Sequence, residues 1–176
     1  MKKSILVLCG MLLTSGMAHA TNQADLLDVK TYKAEYETAI SLYQQKDYTN
    51  ALPALEVMAQ RGEKKAQYIL GTMYLNGQGT AQDLMKSYAW LSVANEQKNK
   101  HWKRPLNMLN DKLPADYLTI VSEEADKYQA LYGVKAQKMK CRNIKTLGSK
   151  KPTHMCMKSE VKDGYYYVAG QSVAAN

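Results

Sequence analysis

One stretch of this chain can be laid over another. Tyr43 and Tyr74 stand 31 residues apart, Leu55 and Trp90 stand 35 apart, and Ala59 and Ala94 again stand 35 apart. Around each set, apolar residues recur every three or four positions, the period of one helix face. A helical hairpin recurring at this interval constrains the fold more than any other feature. Each unit is too small to bury its own apolar face, so it stacks on a neighbour and the chain builds a short solenoid. The two offsets differ by four residues, which fall at Asn76-Gly77-Gln78-Gly79 in the second unit.

The spacing predicts six helices over residues 31–132. The first carries Tyr32, Tyr36, Ala39, Ile40 and Tyr43 on one face and breaks at Lys46-Asp47. The second carries Ala51, Leu52, Leu55, Met58 and Ala59, with Gly62 as its stop. Pro53 is expected in its first turn, where a missing N–H is harmless. The third turns Ala66, Ile69, Leu70 and Met73 inward, and the fourth Leu84, Tyr88, Leu91 and Ala94. Two more helices follow over 101–113 and 114–132, the last closed by Gly133.

Ala66, Leu70, Gly71, Tyr74, Gly77, Gly79, Asp83, Trp90 and Ala94 resemble the signature of the Sel-one-like repeat (SLR) family. "AQYILGTMYLNGQGTAQDLMKSYAWLSVA" follows that pattern almost throughout. It departs at Thr80, where an aliphatic residue is usual, and at Ser87-Tyr88, where an alanine is usual. The resemblance implies a tetratricopeptide-like helical hairpin with a longer Gly-x-Gly loop, a mainly α fold of the α-α superhelix kind, and a scaffold for protein–protein contact. Residues 36–62 are nearer a plain tetratricopeptide hairpin, and 100–132 resemble the degenerate helices that close such arrays.

The glycine pair also admits a phosphate cradle. That reading needs Gly-Lys-Ser/Thr or a preceding apolar strand, and neither is present. The repeat turn explains each residue instead. Gly71 lets two helices press together, Gly77 ends a helix with positive φ, and Gly79 turns the loop back. Asp83 places a negative charge in the first turn of the next helix, where the dipole favours it. Tyr74, Tyr88 and Trp90 read as packing between helices rather than as a ligand box.

The first 20 residues read as a secretory signal peptide. Lys2 and Lys3 form the positive start, an apolar stretch too short to span a bilayer follows, and Ala18-His19-Ala20 is a small-x-small cleavage site. Cleavage after Ala20 leaves Thr21–Asn176, a periplasmic or secreted protein. No later apolar run approaches the roughly 20 residues that a membrane span requires.

Charge divides what remains. Residues 21–132 hold 13 basic and 14 acidic side chains, and residues 133–176 hold 9 basic and 2 acidic. This places a helical domain over 21–133 and a basic module over 134–176. Cys141 and Cys156 are the cysteines left after Cys9 departs, and an even pair in an oxidising compartment forms one disulfide. A metal site of Cys141, His154 and Cys156 is the alternative, and it lacks a fourth ligand at a persuasive spacing. The alternation around Met139, Cys141, Ile144 and Leu147, a turn at Gly148–Pro152 and a strand at Thr153–Met157 make a small disulfide-tied β-hairpin. Cysteine, Gly-Ser, a basic stretch and a second cysteine also resemble a short motif of exported Gram-negative proteins. The end, "AGQSVAAN", reads as disordered.

Three function classes remain. The first is a non-enzymatic periplasmic adaptor for an envelope protein, a monomer or weak dimer without cofactor or metal. Trp102, Lys103, Arg104, Lys145, Lys150 and Lys151 are its candidate partner contacts, Trp102 serving either as a contact or as a cap on the core. The second is attachment to an anionic envelope component, lipid or peptidoglycan, through Lys138, Lys140, Arg142 and the other basic residues of the tail. Nucleic acid is no ligand for an exported chain. The third is a β-lactamase-like hydrolase, suggested by Ser159-x-x-Lys162, a match that a lysine-rich chain produces by chance and that no Ser-Asp-Asn or Lys-Thr-Gly accompanies.

Overall fold

The computed structural model describes residues 25–145, 148 and 151–169. A short strand, β1 (Leu26–Asp28), runs into α1 (Val29–Gln44), followed by α2 (Tyr48–Gln60), α3 (Lys64–Asn76) and α4 (Leu84–Ala94). A 3-10 turn, Asn95–Gln97, leads to α5 (Lys103–Lys112) and α6 (Ala115–Tyr132). Four strands close the chain: β2 (Lys140–Ile144), β3 (Thr153–Met157), β4 (Glu160–Lys162) and β5 (Tyr165–Tyr167). The six helices expected from periodicity are all present. Among the described residues no helix is long and apolar enough to cross a membrane. The signal peptide and the end beyond Ala169 lie outside the described residues.

Aspartates start three of the helices. Asp28, Asp47 and Asp83 each accept a hydrogen bond from the backbone N–H three residues on, at 2.9, 3.3 and 2.9 Å, satisfying a donor that a helix start leaves orphaned. Asp83 is thus the cap itself, one position before the first turn. Because Asp47 starts α2 at Tyr48, Pro53 falls in the second turn rather than the first.

The repeat signature is a set of packing positions. Ala66, Leu70, Tyr74, Trp90 and Ala94 are buried. A Cβ on Gly71 would stand 2.8 Å from Leu91 Cγ and 3.1 Å from its backbone nitrogen, so α3 and α4 approach where only a hydrogen fits. Gly79, at φ +73°, lies against the backbone carbonyl of Tyr48, folding the loop onto the start of α2. One core runs through α1 to α4, from Ala39 through Leu55, Met58, Leu70 and Met73 to Trp90. α6 closes it: Tyr128 meets the Trp90 ring edge-on at 4.9 Å and Tyr132 stacks on it at 5.1 Å.

After Gly133 the chain returns to the helices. Gln137 is buried, and its amide donates to the Gln60 carbonyl at 2.9 Å. Val168 is buried in the main core, and Tyr166 meets Tyr32 edge-on at 5.2 Å. β2 and β3 pair antiparallel with Cys141 opposite Cys156, the two joined as the expected disulfide. A second sheet, in the order β1-β5-β4, was not expected: Leu26–Asp28 pairs with Tyr165–Tyr167 from the far end of the chain. Strands of three residues are too short to show alternation, and this pairing spans nearly the whole sequence.

Candidate functional site

α5 and α6 both pack on α4, and a cleft of about 640 Å³ opens between them. Tyr88, Ser92 and Asn95 line it from α4 and the turn that follows, and Leu106 from α5. α6 contributes Ser122, Ala125, Asp126 and Gln129. The lip is the segment before α5 together with the first residue of α5, which places Lys98, Lys100 and Lys103 on the cleft. The volume is that of a ligand site, but the lining is more polar than small-molecule pockets usually are.

The lip has an unusual composition. Residues 98–104 read Lys-Asn-Lys-His-Trp-Lys-Arg, with four cations and no acid. Trp102 is half-buried and stacks flat on Tyr68, rings 5.0 Å apart and 10° from parallel. It covers part of α3 and fastens the segment to the helical body. Lys103 and Arg104 are exposed in the first turn of α5, which holds no acid and has no side-chain cap. Two cations therefore sit at the positive end of a helix dipole, an arrangement that disfavours the helix by a few tenths to about 1 kcal/mol each.

The 3-10 turn at the end of the cleft is held from both sides. The Glu96 carboxylate accepts from Lys64 Nζ at 2.6 Å, from the Val134 backbone N–H at 3.0 Å and from Gln129 Nε2 at 3.2 Å. Lys64 is buried, yet its ammonium has three acceptors for its three protons: Glu96, Gln67 Oε1 and the Val93 carbonyl. Burial pulls its pKa below the ordinary lysine value, and Glu96 opposes that shift. On the other side, Gln97 accepts from the Cys156 backbone N–H at 2.9 Å through its side chain. Its backbone carbonyl lies 3.2 Å from His154 Nδ1. The disulfide hairpin is thus fastened to the wall of the cleft.

A partly buried polar group joins the strands to the helices. Lys158 Nζ donates to Gln137 Oε1 at 3.1 Å and to the Tyr167 carbonyl at 2.6 Å. Burial lowers its pKa to about 7, against the attraction of Glu63. The Glu63 carboxyl, which accepts from Tyr32 at 3.1 Å, is raised by its own burial.

The residues singled out from sequence separate into groups. Lys103 lines the cleft, with Trp102 and Arg104 beside it in sequence. Lys145 and Lys151 are exposed on the β2–β3 hairpin, and Lys150 lies outside the described residues. The ligand atoms of Cys141, His154 and Cys156 lie within 4.8 Å of one another, but the two sulfurs are bonded to each other and offer no thiolate. Ser159 and Lys162 lie on extended chain at β4 rather than on one turn of a helix, where residues three apart share a face. Sequence reasoning placed Lys100 beside Trp102 as a possible partner contact, and missed Lys98 and the α6 wall of the cleft. The acid-free run over 98–104 was the available signal.

In the solved structures, the chain is similar to the crystal structure of c5321, a protective antigen present in uropathogenic Escherichia coli strains displaying an SLR fold. The match has a TM-score of 0.54 at 25% sequence identity and covers 68% of this chain. The chain folds as an SLR-like helical repeat protein. It spans 27% of the length of the c5321 chain it matches. No family model matches the sequence, and no curated protein does. The SLR-like hairpin is α3–α4 with its Gly-x-Gly loop, and the cleft forms where α5 and α6 meet α4.

Proposed function

We propose that the mature chain, Thr21–Asn176, is a non-enzymatic periplasmic adaptor that holds a segment of an envelope protein. The observation that carries this reading is an SLR-like stack whose closing helices leave an open, polar-lined cleft. Stacked hairpins supply a stiff frame, and binding surfaces on such frames are extended rather than enclosed. A signal-like start and a disulfide between Cys141 and Cys156 support an oxidising compartment. The Ser159–Lys162 pair lacks the helical setting that its motif requires, which favours binding over turnover.

Cross-linking of the mature chain in envelope extracts, followed by identification of what is captured at high salt, tests the proposal. Recovery of one protein, with no loss when Ser159 becomes alanine, supports the adaptor. Turnover of an acyl or glycan substrate that disappears in Ser159→Ala overturns it. The exposed Lys140, Arg142 and Lys145 on β2 and beyond it favour a second reading, attachment to an anionic envelope surface. That reading predicts binding that fades with salt and follows those three residues rather than the cleft.

A further inference from the structure

Over residues 21–132 the charges nearly cancel, 13 basic against 14 acidic, so the acid-free run at 98–104 makes a local positive field. None of the Lys98, Lys100 and Lys103 ammoniums is paired with a carboxylate among the described residues. Glu96, the nearest acid in sequence, is committed to Lys64 and to two N–H donors. Lys103 and Arg104 occupy the start of α5 against the preference of its dipole. A local rule broken without compensation inside the fold points to a counter-charge supplied from outside it.

We propose that the cleft between α5 and α6 binds an extended acidic segment of the partner protein, with Lys98, Lys100 and Lys103 holding its carboxylates. The proposal rests on the adaptor reading for the occupant being a protein. Ser92, Ser122 and Gln129 line the cleft with groups that can meet the N–H and C=O of an extended backbone. Leu106 and Ala125 give it an apolar contact. Asp126 also faces the cleft, from α6. It repels acidic side chains on that side and sets the orientation: carboxylates toward the lip, N–H groups toward α6.

The test uses mature Thr21–Asn176 and a fluorescent synthetic peptide of alternating glutamate and serine, titrated by anisotropy at low and high salt. The peptide binds, and more weakly as salt rises. The pair Lys100→Glu/Lys103→Glu weakens it about tenfold or more, the effect of removing and reversing two favourable charges. The pair Lys30→Glu/Lys33→Glu, exposed on α1, leaves it unchanged, as does replacing the peptide's serines by alanine. Equal loss in both charge-reversed proteins, equal binding of a lysine–serine peptide, or no binding overturns the proposal. Binding to phosphatidylglycerol vesicles through Lys100 and Lys103, with no binding of the peptide, also overturns it. Circular dichroism of each variant separates lost binding from lost fold. Envelope capture judges the adaptor reading separately. Capture that persists in Lys100→Glu/Lys103→Glu keeps the adaptor and removes the cleft as its site, and the titration decides the cleft even where nothing is captured.

Discussion

Two single residues carry consequences that can be measured. Ser87 belongs to the Ser87-Tyr88 pair where the sequence departs from the SLR pattern, and its hydroxyl is buried without a hydrogen-bond partner among the described residues. A buried, unpaired polar group is destabilising, so Ser87→Ala is expected to raise stability by about 1 kcal/mol. The check is a higher urea midpoint at unchanged slope. Lys158 gives a pH dependence. Unfolded, it keeps its proton up to the ordinary lysine value of 10.5, whereas folded it releases it near 7. Between those values the unfolded chain binds more protons, so this residue makes the fold more stable as pH rises and less stable as pH falls toward 7. Lys158→Met removes that slope. Urea denaturation of both proteins at about pH 7 and about pH 9 is expected to show the variant's stability, relative to wild type, falling as pH rises.

Among the elements, the disulfide hairpin has two jobs that one double variant separates. Cys141 and Cys156 lie 15 residues apart, and closing such a loop stabilises by about 3 kcal/mol in the chain-entropy model. β3 also grips Gln97, which adjoins Glu96 on the cleft wall. Cys141→Ser/Cys156→Ser is therefore expected to lower thermal stability and to weaken binding of the acidic peptide while the far-UV helical signal persists. Unchanged affinity would mean that Glu96, through Lys64 and Val134, holds the turn alone. The glycines of the α3–α4 hairpin are a similar device in backbone form. Gly71 sets how closely α3 meets α4, and Gly79 sets how the loop rests on Tyr48.

For the whole molecule, the ends of the chain matter together. Composition breaks at Gly133, where α6 also ends. Yet the segment beyond it supplies Val168 to the main core, Gln137 to the Gln60 carbonyl and β5 to β1. A chain ending at Gly133 is expected to expose Tyr32 and its neighbours, to unfold without a sharp transition and to self-associate. Sedimentation and thermal melts check this against the full mature chain, which is expected to be monomeric because the β1-β5-β4 sheet covers that face. This is why point variants, and not truncations, are the suitable probes of the tail.

The sequence by itself determined the six helices, the SLR-like hairpin and the cysteine pairing. Each is written in local terms: apolar residues at helical spacing, glycines where a side chain would collide or φ is positive, two cysteines facing across one turn. Tertiary structure alone decided the rest. The three-residue strands β1 and β5 acquire their state only from each other, across nearly the whole chain. That Trp102 rests on Tyr68 is decided by how the segment before α5 folds back on α3. The cleft is a property of how α5 and α6 sit on α4, so Lys98 looks like an ordinary solvated lysine until the space beside it is known. Spacing along a chain reports which face of an element is buried; what two unburied faces enclose depends on the packing of elements, and no local pattern records it.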